Sequence, residues 1–390
     1  MPTAAARDAL PAPARDHLAQ VFAQYPIEVV DARDVWLHTP DGRRILDLYG
    51  GHAVAALGYG HPRWLAALER QAREVAFQSN AVPMEIRRRA ARKLVEFAGL
   101  PLDTVFFVNS GAEANENALR TACRITGRGH VVAVEGAFHG RTAAAAAVTH
   151  GSAAWYGYPR TPFDVTFVPR RDAGALAEAI TTDTAAVIVE PVQGVGGAFD
   201  MGAEYLAAIR RRCDETCALL VFDEVQCGVG RTGHAFAANL YGVVPDMLTT
   251  AKALGAGFPV GALMMAPHVA AHLRHNDLGT TFGGGPLACA VVEAVLDAIR
   301  EEGLLDNIRR VSARIRARCL VGPVTGIQGE GFLLGLRTRV PAKQVQAALL
   351  ERDILTGTSG DPSILRLLPP FTLEERHVDL LAAALAELPA

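Results

Sequence analysis

The chain has 390 residues, half of them apolar and one fifth charged, and its formal net charge is −3 at pH 7. Length and apolar content suffice for a large buried core and two or three domains, and the near-neutral balance offers no general attraction for nucleic acid or an anionic membrane surface. The six cysteines (123, 213, 217, 227, 289 and 319) form no CxxC pair, and Cys213 and Cys217 lack further ligands at zinc-site spacing, so buried free thiols in a reducing, cytoplasmic setting are expected, and no metal.

Residues 1–16 are Ala/Pro-rich, are expected to fray, and hold no apolar core of signal-peptide length. No later apolar run is long and uninterrupted enough to span a bilayer. The stretch from Tyr25 to Gly51 reads as short strands separated by turn signals at Pro40-Asp41-Gly42, and a helical pattern runs from about residue 60 into the 90s. Within it Arg87, Arg88 and Arg89 read as a solvated helix face. Then apolar, β-branched runs recur at 104–108, 131–134, 165–168, 185–189, 218–222, 247–250 and 260–265, several separated by helix-like segments such as 113–126 and 203–216. Short, nearly all-apolar strands alternating with helices predict an α/β fold with a parallel or mixed sheet covered on both faces. Ligands of such sheets gather at the carboxyl ends of the strands. After residue 286 two helices (286–302 and 304–318), the stretch VTGIQGEGFLLGLRT, another helix and ILRLLPPFTL suggest a smaller α+β unit. The expected division is an N-terminal segment 1–50, a large domain 51–285 and a small C-terminal domain 286–390.

Three strand ends carry residues of chemical interest. Asn109-Ser110-Gly111-Ala112-Glu113 opens a helix, where unpaired backbone N–H groups bind phosphate well, although an ordinary Ser N-cap reads the same way. Asp223 closes an apolar strand. A buried carboxylate there requires a partner such as a protonated ring nitrogen, unless it merely caps a turn. Lys252 follows the run at 247–250 among small residues, where burial lowers a lysine's pKa and favours chemistry with an aldehyde; a surface lysine is the plainer alternative. The segment Gly228-Val229-Gly230-Arg231-Thr232-Gly233 matches GxGxxG, but the helix after it is weak and short and no acidic residue closes a second strand about 20 residues on, so dinucleotide binding is disfavoured. A phosphate cradle, an Asp for a ring nitrogen and a Lys for an aldehyde are together what pyridoxal 5′-phosphate demands.

At these residues the chain resembles the class III (fold-type I) aminotransferases that use pyridoxal phosphate, within the acetylornithine aminotransferase group. The segments LDLYGGHAV, FFVNSGAEANENAL, AFHGRT, EPVQG, VFDEVQCGVGRTG, TTAKALGAGFPVGA, LGTTFGG and LRLLPPFTL carry the resemblance, in family order, over residues 20–375. It implies a mostly parallel central sheet flanked by helices, with a smaller α+β domain built from the N-terminal segment and the C-terminal part. It also implies roles for particular residues. Gly111 and Ala112, with Ser110 at the same helix start, hold the phosphate. Phe138 stacks on the ring, Asp223 pairs with its nitrogen and Gln226 bonds its 3′-oxygen. Lys252 binds the aldehyde and shuttles the proton. Thr281 reaches the cofactor of a neighbouring subunit, so a homodimer with shared sites is implied. Arg141 grips the α-carboxylate of an ω-amino substrate and Arg366 that of glutamate or 2-oxoglutarate. Thr280, Ser79 and Asn80 lie near the substrate, and Glu190 lies behind the first layer. His139, beside Phe138, is read as structural.

The implied reaction moves the δ-amino group of an N-acetyl- or N-succinyl-ornithine to 2-oxoglutarate, as in arginine biosynthesis. The alternatives are another ω-aminotransferase (acting on ornithine, 4-aminobutyrate, a lysine derivative or N-succinyldiaminopimelate), an aminomutase, or a binding protein without catalysis. Two positions depart from the family pattern: Val195 stands where EPVQGEGG has its second Glu, and Gly285 where FGGNPLA has Asn. Since Val195 cannot pair with Arg366, Arg366 is expected to lie exposed in the cleft with no partner at residue 195, unless another carboxylate takes that place.

Overall fold

The computed structural model describes residues 17–389; the stretch 1–16, expected to fray and to lack a signal peptide, lies outside the described residues. All seven apolar runs enter one seven-stranded sheet, in the order Thr104–Val108, Gly261–Met265, Met247–Thr250, Leu219–Asp223, Thr184–Val189, His130–Val134, Asp164–Val168. Gly261–Met265 runs antiparallel to both neighbours, and the remaining pairings are parallel. The inner strands are almost wholly apolar because both faces are covered, while the edge strand Asp164–Val168 is partly exposed. Alternate side chains point to opposite faces: Val187, Val189, Leu220 and Phe222 join one core with Leu206 and Ile209 of helix Ala203–Thr216, whereas Ala186, Ile188, Leu219 and Val221 join a second core with Leu119 and Ala122 of helix Gly111–Thr126.

The helical pattern from residue 60 resolves into two helices, Pro62–Glu74 and Glu85–Ala98. Pro83 disfavours helical backbone at Val82, and the chain between the helices is irregular. The arginine cluster is correspondingly less solvated than expected. Arg88 pairs with Glu85 on the surface, but Arg89 binds Glu293 through two nitrogens (3.0 and 2.9 Å). Arg87 donates to the carbonyls of Gln78, Val82 and Gly284, fastening the irregular loop.

A four-stranded sheet joins Asp31–Arg33, Trp36–His38 and Arg44–Asp47 to Ile354–Leu355 from the far end of the chain. Gly42, at φ 85°, makes the anticipated turn. A second four-stranded sheet holds Val324–Glu330, Leu333–Thr338, Ile364–Leu367 and Gly357–Thr358. Helix Pro286–Glu301 packs against both early helices, and a final helix, Glu375–Ala386, packs against Leu304–Arg318.

The cysteine reading changes in part. Cys217, just past the end of helix Ala203–Thr216, is exposed and Cys123 is half-buried, while the other four thiols are buried. The GxGxxG segment is a structural knot: Arg231 is fully buried, with its guanidinium donating to the carbonyls of Ala53 (3.1 Å), Phe332 (3.5 Å) and Pro369 and stacked on Phe371. The helix that follows, Ala237–Tyr241, has only five residues. No helix among the described residues is long and apolar enough to cross a membrane.

Candidate active site

A cavity of about 430 Å³ opens at the carboxyl edge of the sheet, between the ends of the strands Thr104–Val108, His130–Val134, Thr184–Val189, Leu219–Asp223 and Met247–Thr250. One wall is the start of helix Gly111–Thr126. Ser110 is its N-cap: the hydroxyl accepts from the Glu113 N–H (3.2 Å), and the Glu113 carboxylate accepts from the N–H groups of Ser110 (3.2 Å) and Asn109 (2.5 Å). The N–H groups of Gly111 and Ala112, the next in line, have no acceptor within the helix, and both residues line the cavity. The turn that Ser110 caps thus also leaves two N–H groups free to take an anion. Gly111 is required by space: a Cβ there would stand 2.6 Å from Cγ1 of Val225.

Asp223 is nearly inaccessible, at 3 % exposure. Its Oδ2 accepts from Asn115 Nδ2 and lies against His139 Nδ1, each at 2.7 Å, and its Oδ1 accepts from the Val225 N–H at 3.0 Å. Asn115 is itself fixed, donating to the His139 carbonyl (2.7 Å) and accepting from the Thr249 hydroxyl (2.6 Å).

Lys252 leaves its strand in left-handed backbone, at φ 45°, a geometry that costs a non-glycine residue about 1–3 kcal/mol and concentrates at functional sites. Burial holds its ammonium below the ordinary lysine pKa, and the nearby Arg366 adds to this; Asp223 and Glu190 oppose it. Glu190 accepts from the N–H groups of Phe138 and Gly194, each at 2.9 Å, and so sets the position of Phe138. Burial pushes its own carboxyl pKa up. Gln226 donates to the His52 carbonyl (3.3 Å), and its side chain leaves no room for a Cβ at residue 194. Arg141 is exposed at the rim, its guanidinium 4.4 Å from the centre of the Trp155 ring.

The model of the family described as "Aminotransferase class-III" matches residues 19–388. The acetylornithine aminotransferase of Methanocaldococcus jannaschii is 38% identical over 383 residues, covering 95% of both chains. That of Streptomyces coelicolor is 44% identical over 350 residues, covering 88% of this chain and 86% of the relative. This chain belongs to the class-III aminotransferases. Among solved structures, the ornithine aminotransferase of Toxoplasma gondii superposes with a TM-score of 0.89 at 29% identity, over 96% of this chain and 91% of that one.

In this class-III aminotransferase one cavity is lined by Ser110, Gly111, Ala112, Phe138, Arg141, Glu190, Asp223, Gln226 and Lys252. Ser79, Asn80, Thr280 and Thr281 stay outside it. Asn80 donates to the carbonyls of Thr280 (3.3 Å) and Gly283 (3.1 Å), Thr280 accepts from the cavity residue Asn109 at 3.4 Å, and Thr281 is exposed. Arg366 corrects an expectation. It makes no ion pair among the described residues, with residue 195 or any other carboxylate, yet it is only 5 % exposed. Its Nε donates to the Thr358 carbonyl (2.6 Å) on the paired strand and its Nη1 to Gln226 Oε1 (3.5 Å), so neutral oxygens replace the missing Glu and Gln226 stands between Arg366 and the cavity.

Sequence reasoning passed over Asn115. Its one signal is a polar side chain on the otherwise apolar inner stripe of Ala114, Ala118 and Leu119. His139 has a definite task behind Asp223, although its Nε2 finds no partner.

Proposed function

We propose that this aminotransferase uses pyridoxal 5′-phosphate to move the δ-amino group of an N-acylornithine to 2-oxoglutarate, giving N-acylglutamate 5-semialdehyde and glutamate, the exchange that arginine biosynthesis requires. The observation that carries the reading is the facing of three groups in one cavity: free helix N–H groups at Gly111 and Ala112, the buried, triply hydrogen-bonded Asp223, and the desolvated Lys252. A phosphate, a protonated ring nitrogen and an aldehyde are the chemical complements of these groups, and the space that Gly111 keeps clear lets the phosphate approach the helix. Bound pyridoxal phosphate supplies an electron sink for the bond broken at the carbon bearing the substrate nitrogen.

The rest is done by the chain. Asp223 holds the proton on the ring nitrogen, kept in place by Asn115 and His139. Phe138, anchored through Glu190, covers one ring face, and Gln226 donates to the ring oxygen. The Lys252 amine, whose pKa burial lowers, would take the proton from the carbon bearing the substrate nitrogen and return it to the carbon on the far side of that nitrogen. Arg141 orients the α-carboxylate of the acylornithine, while Arg366, reached through Gln226, serves that of glutamate.

The exposed Thr281 and the neighbouring Phe282, 66 % exposed and stacked on Phe77 at 5.3 Å, support a homodimer in which Thr281 completes the partner's phosphate site. The likeness to the Toxoplasma gondii ornithine aminotransferase favours a second reading, with free ornithine as donor. A donor panel decides between them. N-acylornithine with 2-oxoglutarate is expected to exceed ornithine and 4-aminobutyrate by at least about tenfold in kcat/KM, about 1.4 kcal/mol at the transition state. Preference for ornithine would select the second reading.

A further inference from the structure

Behind the cavity just described lies a second one of about 620 Å³, which shares Phe138 and Arg141 with the first and continues past Trp155 to Arg170 and Val195. Its titratable groups are Arg141, Arg170, His150, Glu135 and Asp361. Arg170 is half-buried and has no carboxylate partner among the described residues. Its Nε donates to the Glu135 carbonyl (3.1 Å) and its Nη2 to the Gly196 carbonyl (3.2 Å), with the guanidinium packed on the Phe199 ring. Two glycines clear the slot it occupies. A Cβ at Gly136 would lie 1.8 Å from Arg170 Nη2, and one at Gly196 would lie 2.3 Å from it. The acids nearby, Glu190, Asp361 and Glu135, act on it through space without forming an ion pair with it. Asp361 is engaged by the Ser363 N–H (2.8 Å) and hydroxyl (2.6 Å) and lies 3.9 Å from Arg337, and Glu135 is exposed at the rim. The region adjoining the Lys252 cavity therefore presents two guanidinium groups, Arg141 and Arg170, neither in an ion pair among the described residues, beside the uncharged Val195 and the two acids Glu135 and Asp361.

We propose that this second cavity receives the acyl group of the amino donor and that Arg170 selects acyl groups ending in a carboxylate. The inference rests on the N-acylornithine reading above. It narrows the donor to one with two carboxylates, an α-carboxylate for Arg141 and an acyl carboxylate for Arg170. A neutral acyl group leaves the Arg170 guanidinium desolvated without an anion, and that difference discriminates between donors.

The test compares N-succinylornithine with N-acetylornithine on the holoenzyme, for the wild type, Arg170→Gln and Arg170→Lys. The wild type is expected to favour N-succinylornithine by about tenfold to hundredfold in kcat/KM, the range for one charge-assisted hydrogen bond. Arg170→Gln should erase the preference through KM, Arg170→Lys should keep part of it, and the glutamate half-reaction should stay within about threefold of wild type. Equal use of the two donors, preference for N-acetylornithine, or an equal loss on both in Arg170→Gln overturns the proposal while leaving the N-acylornithine function standing. Turnover of ornithine or 4-aminobutyrate with neither acyl donor overturns both. Should the variants misfold, binding of the unreactive N-succinyl-L-norvaline and N-acetyl-L-norvaline to wild-type holoenzyme decides alone: at least about tenfold tighter binding of the former supports the proposal, and equal binding overturns it.

Discussion

On the proposed function Lys252 carries the central chemistry, and its surroundings bias the pH at which it is ready. Burial and Arg366 lower its pKa, and Asp223 and Glu190 raise it. The sign then follows: a lowered pKa puts the neutral, nucleophilic amine within reach at a pH where a free lysine is still charged. Loading of apoenzyme with pyridoxal phosphate, followed as the rise of its visible absorbance band, is expected to reach half its limiting rate below the ordinary lysine value. In Asp223→Asn, which removes a charge that stabilises the ammonium, labelling of the same amine in apoenzyme should shift further down in pH. A midpoint at or above the free-lysine value would remove Lys252 from its role, as would steady-state transamination by Lys252→Ala. Lys252 and Asp223 were legible in the sequence because each closes an apolar strand, where a charge calls for a reason. Asn115 and the contact of His139 with Asp223 were not, because they depend on which helix face and which loop meet that strand end. Arg366 shows the limit from the other side. The loss of its carboxylate at Val195 was readable, but its burial against Thr358 and Gln226 was set by strand pairing.

At the scale of elements, the start of helix Gly111–Thr126 links local propensity to binding. The capping box of Ser110 and Glu113 consumes the N–H groups that a phosphate does not need and presents those of Gly111 and Ala112. Gly111→Ala tests the link, since its Cβ would press on both methyl groups of Val225 at 2.6 and 2.7 Å. Overpacking of this kind costs about 1–3 kcal/mol. The expected result is at least about tenfold weaker retention of pyridoxal phosphate in dialysis or calorimetry, with partial recovery in the Gly111→Ala/Val225→Ala double variant. Unchanged retention would show that the helix start tolerates movement and does not hold the phosphate. Most of the seven central strands were legible for a simple reason: burial on both faces leaves a nearly continuous apolar run. Ile354–Leu355 was not, since a two-residue strand completing a sheet begun at Asp31 has no local signature. The final helix Glu375–Ala386 carries an inner stripe of Val378, Leu381, Ala382 and Leu385 that is readable in retrospect.

The whole molecule raises the question of completeness. Within one chain the cavity has a helix start, a carboxylate and a lysine, but Thr281 stays on the surface beside Phe282 and Phe77, large apolar side chains at 66 % and 45 % exposure. Residues implicated in the site and an exposed aromatic pair on the same stretch of surface fit a second copy of the chain seated there. Complementation tests this directly. In a heterodimer of a Lys252→Ala subunit and a Thr281→Ala subunit, a site built across the interface draws its lysine from one chain and its threonine from the other. One site is then doubly damaged and the other fully intact, so activity is expected to return to about a quarter of wild type in a statistical mixture, where half the dimers are mixed and each has one good site of two. If lysine and threonine serve the same cofactor from one chain, every site in the mixture carries a lesion, and mixing adds nothing to the two parent activities.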